Sequence, residues 1–110
     1  MPSIKVTTYI PPSIQTGPFT FAIGQEVSGV VFNSGSPALA TIPLNSVVPF
    51  PVGVQIPVLV VGAGQLTFSP ASNVFLGSPD NKRKSRVIGS PAVLQQTELN
   101  VWWLSGDLVA

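Results

Sequence analysis

The chain has 110 residues, enough for one domain, with 45% hydrophobic but only 8% charged residues, against roughly 25% charged in a typical soluble domain. Twelve Pro and ten Gly exclude an architecture of long helices, and the absence of Cys and His excludes disulfides, thiol nucleophiles, imidazole bases and the usual zinc ligand sets. A net charge of +1 excludes a protein that seeks polyanions or polycations by bulk electrostatics.

Short strands recur along the chain. Residues 4–10 are rich in β-branched and aromatic side chains and end at Pro11-Pro12. Phe19, Phe21 and Ile23 alternate with Thr20 and Ala22, the period of a strand. Gly24-Gln25 turns the chain, and Val27 to Phe32 reads as the next strand. After the turn cluster 33–37, Ala38 to Ile42 is a strand and 43–51 a Pro-punctuated connection. Val54 to Val61 is the most apolar strand. Pro57 lacks an amide donor, so this strand is expected at a sheet edge or with a bulge. The run Val58 to Val61 is apolar on both faces, as expected of a strand covered on both sides by its own fold or by a neighbouring subunit.

Gly62-Ala63-Gly64 reads as a tight turn needing positive φ. It leads into a strand at 66–68, and a short one follows at 74–76. Residues 77–86 form a polar, basic loop or hairpin. Val93 to Gln96 and Leu99 to Leu104 pair as a last hairpin, with a short helix in 91–97 as the alternative, and Leu108-Val109 extends the final strand. The expected fold is all-β: a single small β-sandwich or barrel of short antiparallel strands over 19–110, with an extended N-terminal arm at 1–18 drawn out by Pro2, Pro11, Pro12 and Pro18. No repeat of 20–50 residues is visible, so no solenoid is expected.

So few charges bear on what the surface meets. A domain of this size leaves about a third of its unfolded surface exposed. Nine ionised groups cannot cover that area alone, so an apolar remainder is expected to meet another copy or a different protein. No charge occurs between Glu26 and Asp80. The most apolar part, 47–64, carries three Pro and three Gly and cannot be an ordinary membrane-spanning helix. No membrane partner is expected, nor does a secretory signal pattern stand at the N-terminus.

Few residues offer chemistry. Glu26, Asp80, Glu98 and Asp107 are scattered, no Ser has a His partner, and no nucleophile-elbow pattern occurs, so no enzyme, cofactor or metal is expected. Gly62-Ala63-Gly64 lacks the third glycine and the following helix of a dinucleotide fingerprint. Lys82, Arg83, Lys84 and Arg86 form the one basic cluster: a solvated turn, a set of inter-subunit ion pairs or a polyanion contact. No aromatic residue lies within it to stack a base, and no nucleic-acid partner is expected. Trp102 and Trp103 point to opposite faces of one strand. One belongs in the core; the other is an interface anchor or a sugar-stacking surface. With Pro11, Pro12, Phe19 and Phe21, these basic and indole side chains complete the candidate interface residues.

A resemblance rests on several blocks in order. They are Phe50-Pro51-Val52-Gly53-Val54-Gln55-Ile56, Gly62-Ala63-Gly64-Gln65-Leu66-Thr67-Phe68, Pro70-Ala71-Ser72, Ser78-Pro79, and Asn81-Lys82 with Lys84 and Arg86. Ala92 and Leu94 follow, then Trp102-Trp103-Leu104-Ser105-Gly106-Asp107-Leu108-Val109-Ala110. Over about residues 45–110 the chain resembles a domain of tailed-phage virion proteins, often the C-terminal portion of tail fibres. It departs after Arg86, where that family more often has a Gly-Gln-Tyr-type stretch. The resemblance implies a virion structural role, frequently trimeric, without enzyme chemistry. Combined with the low charge, it leads to a capsid cement or decoration protein, a homo-oligomer bound to the major capsid protein or another virion protein. A tail-fibre, spike or baseplate component that binds a host receptor is the alternative. The length of 110 residues leaves little room for a fibre shaft and favours the first.

Overall fold

The computed structural model describes residues 10–110. The expected strand at 4–10, apart from Ile10, and the first half of the expected arm at 1–18 lie outside the described residues.

Among the described residues, eleven strands form two sheets. Six of them make one sheet: β1 (Ser13–Gln15), β3 (Val30–Phe32), β5 (Gln55–Val60), β9 (Pro91–Glu98), β10 (Val101–Gly106) and β7 (Phe75–Gly77), in that spatial order. The other sheet runs β11 (Leu108–Val109), β8 (Lys84–Ser85), β6 (Leu66–Pro70), β4 (Ala38–Ile42), β2 (Phe19–Thr20). The protein is all-β and sandwich-like, and among the described residues both sheets are open and form no closed barrel. Among the described residues, no helix is long and apolar enough to cross a membrane.

The connectivity departs from the expected antiparallel arrangement. Only β9 and β10 are consecutive strands of one sheet; every other connection crosses to the opposite sheet. From β1 to β6, each strand that returns to its sheet after visiting the other runs the same way as before, so β1 with β3, β3 with β5, β2 with β4 and β4 with β6 are parallel. Beyond β6 the winding changes: β8 returns antiparallel to β6, and β7 pairs in parallel with β10. The first six strands thus wind back and forth between the sheets. No sequence repeat accompanies this coil, because its connections differ in length.

Stacked connections hold the coil together. The 61–65 link lies against the 33–37 link, and the Gly64 amide donates to the Ser34 carbonyl at 2.7 Å. A Cβ on Gly62 would lie 2.4 Å from the Ser34 carbonyl oxygen, and one on Gly64 would lie 2.1 Å from that of Ser36. Neither glycine has positive φ. They are needed for close backbone approach, not for the left-handed turn expected from sequence.

Pro57 is also placed otherwise than expected, since β5 lies between β3 and β9. In this stretch even-numbered backbone groups bond toward β9: the Gln96 amide donates to Val54 and the Val60 amide to Ser90. Odd-numbered groups bond toward β3, as Val61 does to Phe32. The missing donor of Pro57 therefore faces Gly29, just before the ladder with β3 begins at Val30–Val58. A central strand tolerates proline where its neighbour has not yet started. That gap exists because 25–28 is one helical turn, α1 (Gln25–Ser28), bounded by Gly24 and Gly29, both at positive φ. The strand expected from Val27 begins only at Val30.

Side-chain alternation fills the space between the sheets. Ile56, Val58 and Val60 of β5, Leu94 of β9 and Trp102 and Leu104 of β10 face Ala40, Ile42, Leu66 and Phe68 of the other sheet. Phe50 meets Trp102 edge-to-face at 5.5 Å, and Phe21 stacks on Phe68 at 6.3 Å. The strand at 91–98 carries the same alternation, so the helical alternative there does not occur. Polar side chains are buried as well, among them Ser85, Ser90 and Gln96. Gln96 is fully buried, and its amide nitrogen donates to the carbonyls of Phe50 (2.9 Å) and Pro51 (3.2 Å). Asn45 also donates to Phe50, at 2.7 Å, so the long connection before β5 is pinned by amide hydrogen bonds.

Candidate functional site

The outer face of the six-stranded sheet follows from the same alternation in the opposite phase. Cross-strand register lines up Ile14, Val31, Leu59 and Pro91 in one row. Pro57, Val93 and Ser105 make the next. Pro12 and Gly29 join Pro57, Val93 and Leu59 around a shallow apolar trough of about 280 Å³. The third row is Gln55, Gln95, Trp103 and Gly77. It borders an open cavity of about 740 Å³ with Ser78, Pro79 and Ser105. Ile14 is 64% exposed and Leu59 40%. Apart from Glu98 at the end of β9, these six strands contain no charged residue.

The opposite outer face is different. Thr20, Thr41 and Ser69 make one of its rows; Leu39, Thr67, Lys84 and Val109 make another. Three hydroxyls in one row and a threonine and a lysine beside Leu39 in the other dress that sheet for water, whereas Ser105 is the one polar side chain in the rows through Leu59 and Pro57. A contiguous apolar surface without charge is what a protein interface presents at its centre.

The sequence-derived interface residues fall into three groups. Trp103 and the exposed Pro11 and Pro12 lie at the surface, Trp103 and Pro12 on the face just described. Phe19 is half-buried against Phe21 at 5.0 Å and Phe32 at 6.3 Å. Phe21 and Trp102 are each 1% exposed and belong to the core. Phe21 is therefore corrected from an interface residue to a packing residue: the chain leaves the sheet after Thr20, and its ring turns inward onto Phe68.

The basic cluster does not act as one patch. Lys82 lies 3.9 Å from Asp80 on an exposed turn, a pairing worth little in water. Arg83 reaches inward and donates from Nη2 to the Leu76 carbonyl at 2.8 Å. Lys84 points out from the smaller sheet. Arg86 makes a two-pronged contact with Asp107, at 2.7 and 2.8 Å. The Ser90 hydroxyl also donates to Asp107, at 2.9 Å. These bonds, first Arg86 and then Ser90, hold the Asp107 carboxyl below its ordinary range, and the Arg86 guanidinium is correspondingly raised. Asp107 joins β10 to β11, so the pair fastens the crossing between the sheets. Among the described residues, no three acidic side chains gather as a metal site.

Sequence reasoning missed Ile14, Leu59, Val93, Phe75, Gln55 and Gln95 as surface-forming residues. The usable signal was phase: once Ile56, Val58 and Val60 are assigned to the core, Gln55, Pro57 and Leu59 must share the other face. The chain matches no protein-family model, no curated protein and no solved structure.

Proposed function

We propose that the chain is a structural subunit of a tailed-phage particle, seated by the outer face of its six-stranded sheet on a neighbouring protein as a capsid cement or decoration protein. One observation carries the adhesive part: the rows through Leu59 and Pro57 are open and uncharged, with Ser105 their one polar side chain, while threonine, serine and lysine alternate with Leu39 and Val109 on the other sheet's outer face. The phage assignment draws on the resemblance over residues 45–110. Its blocks fall on the pinned connection into β5, the stacked glycine link and the final β10–β11 crossing. In this reading the neighbours are the major capsid protein and further copies of the chain, in a trimer.

Adhesion of this kind works by removing apolar area from water at about 25 cal/mol per Å². Association costs offset much of each contact. Repetition over a symmetric shell then multiplies what remains. A tail-fibre, spike or baseplate location is the second reading, favoured by the aromatic cavity at Trp103, since receptor recognition needs such a site. Labelled antibody on purified particles separates the two: signal over the shell at high copy number supports decoration, and signal confined to the tail at low copy number supports the second reading. Absence of the protein from particles refutes both.

A further inference from the structure

At the β7–β10–β9–β5 corner of the larger sheet, aromatic and amide groups converge on one cavity. The register sets Gly77, Trp103, Gln95 and Gln55 side by side on four adjacent strands. Neighbouring strands are about 4.8 Å apart, so the span from Trp103 to Gln55 is roughly 10 Å.

Gly77 shapes the indole's position. A Cβ there would fall 2.3 to 2.8 Å from three atoms of the six-membered ring of Trp103. The ring therefore lies over a position kept free of side chain. Phe75 braces it edge-to-face at 5.6 Å and 66°. The indole is held in place and is still 48% exposed. Beside it, the amides of Gln95 and Gln55 make no hydrogen bond within the described residues, so their donors and acceptors are unspent. Ser105 adds a hydroxyl at the rim, and the Ser78 hydroxyl is buried at the cavity wall with no partner. No charged side chain lines the cavity, whose volume of about 740 Å³ lies in the range of small-ligand sites.

We propose that this corner binds a neutral saccharide, one pyranose ring stacking on Trp103 and its neighbour reaching the amides of Gln95 and Gln55. An immobilised aromatic ring offers a flat apolar surface that matches the C–H face of a pyranose. Amides both donate and accept, as sugar hydroxyls do. The lack of a cation beside the ring disfavours a phosphate or an acidic sugar, and unsatisfied amides next to it disfavour a purely apolar ligand. The cavity shares Val93 and Ser105 with the Pro57 row, but Trp103, Gln95 and Gln55 lie one row beyond it and two from Leu59, and nothing in this corner rests on the particle assignment.

The test is titration of the purified chain with neutral mono- and disaccharides of glucose, galactose, mannose and N-acetylglucosamine, to about 20 mM. Trp fluorescence and the indole N–H resonances are followed. Because Trp102 is buried, the response is expected from Trp103 alone. At least one sugar class should saturate it; by titration calorimetry, which needs no indole reporter, Trp103→Ala should weaken binding by about tenfold or more, and Gln95→Ala by roughly two- to tenfold. Gly77→Ala, which displaces the ring, should also weaken it.

No response to any sugar overturns the proposal, as does a response that persists in Trp103→Ala. Loss of adhesion to a protein partner in Trp103→Ala, with no sugar response in the parent, makes the indole a protein contact and overturns it as well. Leu59→Asp, which leaves the corner intact, should keep sugar binding even where protein adhesion is lost, so the two readings fail separately.

Discussion

Replacing Gly64 by Ala tests the stacked connections that set β5 beside β3, and with them the apolar row Ile14–Val31–Leu59. The new methyl would sit 2.1 Å from the Ser36 carbonyl oxygen, 2.5 Å from its carbon and 2.8 Å from the Ser34 oxygen. Carbon–oxygen contacts settle near 3.3 Å, so the two backbones must part by about 1.2 Å. A shift of that size breaks the 2.7 Å bond from the Gly64 amide to Ser34. Stranding the buried donor costs about 1–3 kcal/mol, and overpacking adds a similar amount. The reduced entropy of the unfolded chain returns about 0.4–1 kcal/mol. A net loss of about 2–5 kcal/mol should lower the melting temperature by roughly 8–20 °C. Thermal and urea unfolding of Gly64→Ala would be read against Gly17→Ala and Gly35→Ala. Both controls have open space at the Cβ position and no positive φ, and should be neutral or slightly stabilising. A Gly64→Ala protein melting within about 2 °C of the parent would refute the close-approach argument.

Leu59→Asp places a charge in the open apolar row Ile14–Val31–Leu59–Pro91; sedimentation should show loss of self-association or of particle adhesion, with melting little changed. The two indoles should separate cleanly in stability: Trp102→Ala should cost about 3–5 kcal/mol in urea unfolding, and Trp103→Ala within about 1 kcal/mol. Gln96→Leu leaves the Pro51 carbonyl without its side-chain donor and the Phe50 carbonyl with Asn45 alone; a loss of roughly 1–3 kcal/mol is expected, with faster amide exchange at Gly53, whose N–H bonds to the Gln96 carbonyl. The Asp107 carboxyl titrates lower in the folded chain than in the unfolded one, where it titrates near about 3.9. Its contribution is therefore present above that pH and is lost as pH falls through the lowered folded value. Melting curves below about pH 4 should show this loss, and Asp107→Asn should flatten it.

Much of the strand content could be read directly. Period-2 alternation set the strand at 38–42 and divided Trp102 from Trp103, because it records which face each side chain takes. The shortage of charge likewise carried through to the six strands of the larger sheet, in which Glu98 is the one charged residue. Partner choice is different, because an alternating strand has the same pattern whether its neighbour is parallel or antiparallel. Whether a connection turns back or crosses over decides that, and Pro57 became a central residue only because β3 starts one residue beyond it. The roles of Gly62 and Gly64 depend on the Ser34–Ser36 link, about thirty residues away in the chain. Arg86 reads as part of a basic run until the fold brings Asp107 to it. Local periodicity is written in consecutive residues, whereas pairing, close approach and ion contacts arise between segments that only the tertiary structure brings together.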